Sequence, residues 1–106
     1  MSRVYEEVAR RVVQALHPGR RVGRQWGRVG RRTYEIDILA VGEGGAFYGE
    51  VKWSDGVDCP GVKRELRERE LEGVRAEGFY VFAFARKEAG CFDLGDVERL
   101  VEMYSI

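Results

Sequence analysis

EIDILAVGEGGAFYGEVKW, residues 35–53, decides the fold. Two apolar runs flank a glycine-rich break, the pattern of a β-hairpin. Yet Glu35, Asp37, Glu50 and Lys52 sit inside those runs. With Gly42-Glu43-Gly44-Gly45 as the loop, Val41 pairs with Ala46. Asp37 then stands opposite Glu50, and Glu35 opposite Lys52. Side chains alternate between the faces of a strand, so Tyr34, Ile36, Ile38, Ala40, Phe47, Val51 and Trp53 share a core face. The other face carries Glu35, Asp37, Leu39, Tyr48, Glu50 and Lys52. Opposed Cβ atoms lie about 4.5–5.5 Å apart, where like charges repel. A divalent cation between Asp37 and Glu50 removes that repulsion, because hard cations take carboxylate oxygens. A solvated polar face, with Lys52 offsetting the two acids, is the other reading.

Working outward, Val4, Val8, Val12 and Leu16 recur at helical spacing, so residues 3–16 are predicted helical. Ser2 is placed to cap this helix and His17-Pro18-Gly19 to end it. Residues 20–29 form a short strand around Val22 and Trp26, interrupted by arginines and glycines. A second helix is predicted from Pro60 to Glu77, with Val62, Leu66, Leu71 and Val74 as its thin apolar stripe. FYVFAFA, residues 79–85, reads as a strand buried on both faces. Asp93 to Tyr104 is the last helix. The order α-β-β-β-α-β-α implies an α/β fold, a mixed central sheet flanked by helices, in one domain spanning residues 1–106.

Composition narrows the function classes. The 106 residues are 44% hydrophobic and 34% charged, and no apolar run approaches the ~20 residues of a membrane span. The charged opening MSRVYEEVARR has no apolar h-region, so a cytoplasmic protein is expected. Cys59 and Cys91 have no C-x-x-C partner and His17 is the only histidine, which argues against zinc. Two reduced thiols are expected for that compartment. Net charge is zero but unevenly spread. Residues 1–34 hold nine arginines against Glu6 and Glu7, a net of +7, and the rest of the chain carries −7. Arginine forks onto phosphate oxygens, so a basic face that meets nucleic acid is expected.

Asp37 followed by Glu50-Val51-Lys52 resembles the D…(D/E)-x-K core of the PD-(D/E)XK nuclease superfamily. The order of elements resembles its restriction-endonuclease-like α-β-β-β-α-β core. Within it, GRQWGR, YEIDILAV and FYGEVKWS are similar to the nuclease-like domain at the C-terminus of certain archaeal ATPases, and more distantly to archaeal Holliday junction resolvases. The resemblance covers residues 4–86. It implies a hydrolase: a Mg²⁺- or Mn²⁺-dependent DNA endonuclease selecting DNA structure rather than sequence. Asp37, Glu50 and the Val51 carbonyl then hold the metal, and Lys52 acts on the attacking water or the transition state. A glutamate of the first helix often joins such sites, and Glu6, flanking the apolar stripe, fits better than Glu7. Arg20, Arg21, Arg24, Arg28, Arg31 and Arg32 are the candidate DNA-binding residues. A homodimer is compatible with an enzyme that cuts two strands. The chain has no Walker A string, so the ATPase partner is expected to be missing or on another polypeptide. The alternative is a catalytically silent nuclease-fold module that binds DNA or regulates an ATPase. A Glu35–Lys52 salt bridge, if formed, takes the lysine away from catalysis.

Overall fold

The computed structural model describes residues 3–53, 56–84 and 91–106, with the side chains of Arg3, Val29 and Arg32 left aside. Its elements are α1 (Arg3–Leu16), β1 (Arg21–Val29), β2 (Arg32–Val41), β3 (Ala46–Lys52), α2 (Cys59–Glu68), β4 (Ala76–Ala83) and α3 (Leu94–Met103). The expected order holds, and the fold is α/β. The four strands form one sheet in the order β1-β2-β3-β4. β1/β2 and β2/β3 are antiparallel, and β3/β4 is parallel. Gly30, at φ 62°, takes the left-handed conformation that a tight turn between β1 and β2 requires.

One face of the sheet packs Ile38, Ala40, Val51, Phe82 and Phe84 against Ala9, Val12 and Val13 of α1 and Val97 of α3. On the other face, Val81 and Ala83 meet Val62 and Leu66 of α2. Ile36, Leu39, Ala46 and Tyr48 continue that second face against Leu71, Val74 and Phe79. β4 is therefore covered on both sides, as its apolar run requires. The cap expected from Ser2 lies outside the described residues.

Four expectations are corrected. Val41 does pair with Ala46, and the register holds through Ile38↔Gly49. However, Gly23 pairs with Leu39 while Gln25 pairs with Ile36, so one residue of β1, Arg24, faces two of β2, Asp37 and Ile38. This β-bulge flips the alternation. Tyr34 and Ile36 leave the α1 face and join Leu39 and Tyr48, and the supposed polar face is largely buried.

The second helix ends at Glu68, not Glu77. The buried Tyr48 hydroxyl donates to the Val74 carbonyl at 2.6 Å and accepts the Leu71 N–H at 3.0 Å. These bonds hold residues 71–74 in a turn, so Leu71 and Val74 serve the core from outside the helix.

β4 begins at Ala76, ahead of the apolar run, because it pairs alongside β3 from Ala46↔Ala76 onward. Its last expected residue, Ala85, lies outside the described residues.

Finally, Cys59 and Cys91 are joined as a disulfide, with Cα atoms 5.7 Å apart. Phe92 bridges Phe82 in parallel and delivers Cys91 to the start of α2. Both cysteines are buried, and their spacing falls within the usual disulfide range. Cysteines 32 residues apart in sequence gave no sign of this contact.

Candidate functional site

The β2 bulge and the parting of β2 from β3 build the site. Beyond Ile38↔Gly49 the ladder stops, and the Asp37 side chain takes the place of a strand carbonyl. Asp37 Oδ2 accepts the Val51 N–H at 2.9 Å. The carboxylate is thus fixed between the strands. Asp37 is 9% exposed and Glu50 8%, and they are the only buried polar or charged side chains among the described residues. Burial pushes the Glu50 carboxyl above its ordinary value, and the nearby Asp37 adds to the rise. Arg69 and Lys52 oppose it.

Arg69, at the C-cap of α2, donates to Glu50 Oε2 at 2.9 Å and to the Glu35 carbonyl at 3.3 Å. Glu35 does not pair with Lys52. Its carboxylate bonds Arg24, the residue opposite the bulge. Lys52 is half-buried on β3, within electrostatic reach of Glu50. The question left open by the sequence, whether Glu35 neutralises Lys52, is thus answered by the Glu35–Arg24 pair.

Glu6 and Glu7 part as helix geometry requires. Glu7 is exposed and pairs with Arg11 at 3.2 Å. Glu6 is half-buried and helps hold Arg24 protonated, after the larger effect of Glu35 and together with Asp37. Tyr5 packs on Trp53 and Phe84, with ring centroids 5.1 and 5.0 Å away, and so anchors the turn that carries Glu6. Arg10, one turn on, reaches the Asp37 carbonyl at 3.5 Å.

The arginines divide. Arg20 is held inside the fold by Glu77 at 2.6 Å and stacks over Phe47. Arg21, Arg24, Arg28 and Arg31 are exposed along the β1/β2 hairpin, and the Arg32 side chain lies outside the described residues. Adjoining the hairpin, Glu35, Glu50, Glu65, Glu68, Glu70 and Glu72 line a groove of about 1040 Å³ with Arg69 as its cation, and Thr33, Tyr34 and Glu35 are shared with the cleft at Arg24 and Trp26.

Sequence reasoning missed Arg69, Arg10 and Trp26. Arg10 carried a signal, since it lies four residues after Glu6 on one helical face. Arg69 carried none, because only the early end of α2 brings it to Glu50.

The donors suit a hard cation. Magnesium is usually held by one or two carboxylates while keeping several waters, and Asp37 and Glu50 supply two. Among the described residues, no group of three His, Cys, Asp or Glu side chains is placed to hold a metal. No described helix is long and apolar enough to cross a membrane.

The fold and site thus define an α/β protein with two buried acids at a sheet bulge. The chain belongs to DUF234, a family described as archaeal and bacterial proteins of unknown function, whose model matches residues 1–74. No curated protein and no solved structure matches it.

Proposed function

We propose that this chain is a Mg²⁺- or Mn²⁺-dependent DNA endonuclease of the PD-(D/E)XK kind. The observation that carries the reading is a pair of buried acids that feel each other's charge, Asp37 and Glu50, with Lys52 two residues after Glu50. A buried acid pushed above its ordinary value, as Glu50 is, marks functional sites more often than not. Asp37, Glu50 and the Val51 carbonyl would hold the ion. When bound, it would acidify a water and neutralise charge at phosphorus. The chain's own residues do the rest. Asp37, locked by the Val51 N–H, keeps its position without rearrangement. Lys52 steers the attacking water or stabilises the transition-state charge. Glu6 comes from the helix side of the same bulge. Arg21, Arg24, Arg28, Arg31 and Arg32 hold the phosphate backbone. Homodimerisation and a separate ATPase subunit remain proposals of the same reading, as does a cytoplasmic location.

One observation favours a second reading. Arg69 already supplies Glu50 with a cation. If that pair is permanent, the domain is a silent nuclease-fold DNA-binding or regulatory module. Incubation with linear, flapped and four-way DNA decides between them. Cleavage in Mg²⁺ or Mn²⁺ is expected, with none in EDTA. Lys52→Met should lower the single-turnover rate by several powers of ten while DNA binding holds. DNA binding without cleavage under every condition would select the silent module.

A further inference from the structure

Trp26 is the most exposed large aromatic side chain among the described residues. It is 72% exposed, on a strand at the edge of the sheet. Tryptophan, with a large apolar ring and one polar N–H, is enriched at binding interfaces. Arg24 and Arg28 lie two residues to either side, so strand alternation directs all three to one face. Arg31 follows at the hairpin turn. Arg24, Trp26, Thr33, Tyr34 and Glu35 line an open cleft of about 600 Å³, within the size range of small-ligand sites. An apolar ring framed by cations matches a nucleotide, which joins an aromatic face to a phosphate. In a duplex the base faces are covered by their neighbours, so an indole finds a free face only on an unpaired base.

We infer that Trp26 is a stacking platform for an unpaired nucleotide, so that the preferred nucleic acid of this protein contains a single-stranded segment. The inference rests on the nucleic-acid reading above and adds the substrate class. The indole receives the base, while Arg28 and Arg31 take the flanking phosphates. Stacking of this kind tolerates any base, and the phosphate contacts make it salt-dependent.

The test uses the whole chain in EDTA, so that nothing is cut. Oligo(dT) and a duplex of equal length are titrated against wild type, Trp26→Phe and Trp26→Ala. Tryptophan fluorescence and DNA anisotropy are both followed. The side chain is exposed, so both variants should fold as wild type does. Oligo(dT) should quench wild-type fluorescence and leave Trp26→Phe nearly unquenched. Trp26→Ala should bind oligo(dT) roughly tenfold or more weakly, the usual effect of losing one stacking platform, and duplex less than about twofold more weakly. Equal losses on both DNAs, or quenching that survives in Trp26→Phe, would overturn the inference and leave the nuclease reading standing. Absence of any DNA binding removes both. Concentration-dependent self-association that Trp26→Ala abolishes, with DNA binding unchanged, would assign the indole to a second copy of the chain instead.

Discussion

The β1/β2 hairpin and the groove beside α2 are made from the same strand yet carry opposite charge. The hairpin presents Arg24, Trp26, Arg28 and Arg31. The groove presents Glu35, Glu65, Glu68, Glu70 and Glu72. The sequence is neutral in total, yet an arginine-bearing hairpin and a glutamate-lined groove adjoin at Thr33, Tyr34 and Glu35. A polyanion would meet such a molecule on the hairpin. The groove would repel it, unless cations intervene near Glu50. The comparison teaches that net charge alone says little about partners, while its distribution over the fold says more.

The largest effect expected from breaking the comparison comes from the disulfide. Cys59–Cys91 fastens the start of α2, on the acidic side, and no such staple reaches the hairpin among the described residues. Replacing both cysteines with serine should cost about 3–4 kcal/mol, from the loop-closure entropy of a 32-residue separation. Amide exchange should quicken first in α2 and little in β1 and β2. Equal loosening of both regions would break the distinction.

A middle-sized effect is expected from charge. Arg24, Arg28 and Arg31 changed together to Gln should reduce the log–log salt slope of DNA binding by up to about 2.7, at roughly 0.9 for each lost phosphate contact. Glu65, Glu68 and Glu72 changed to Gln should leave the slope alone or tighten binding slightly. The reverse pattern would place DNA in the groove.

The smallest effect concerns Glu50. Its folded-state pKa is raised, first by burial and then by Asp37. The contribution of Glu50 to stability is therefore fully present below the ordinary carboxylate range and is lost as pH rises through the raised value. Glu50→Gln should remove that loss. Without metal, its melting temperature near pH 7 should equal or slightly exceed that of wild type, and the difference should vanish in acid. A clear drop would mean that the Arg69 pair outweighs the burial of the charge.

Much of this was legible in the sequence. Periodicity placed α1 and α3, and the Gly42–Gly45 loop fixed the β2/β3 register, because hairpin loops set register locally. Asp37 and Glu50 lie just beyond that ladder, one residue past Ile38↔Gly49. The bulge did not, since it arises in the pairing of β2 with β1 and has no mark in β2 alone. That is why Tyr34 and Ile36 were assigned to the wrong face. The end of α2 was hidden because a distant hydroxyl, that of Tyr48, claims the backbone of Leu71 and Val74. Arg69 at Glu50, and Arg24 rather than Lys52 at Glu35, follow from these two nonlocal events.

The central claim is that Asp37 and Glu50 form a divalent-metal site. Thermal melting in EDTA and then in millimolar Mg²⁺ or Mn²⁺ tests it most directly, because an ion that binds only the folded state must stabilise it. Wild type should melt higher with metal. Asp37→Asn should fold, since the asparagine oxygen can still accept the Val51 N–H, and should show no metal-dependent rise. A wild type indifferent to both ions, or an Asp37→Asn variant that gains as much as wild type, would contradict the site.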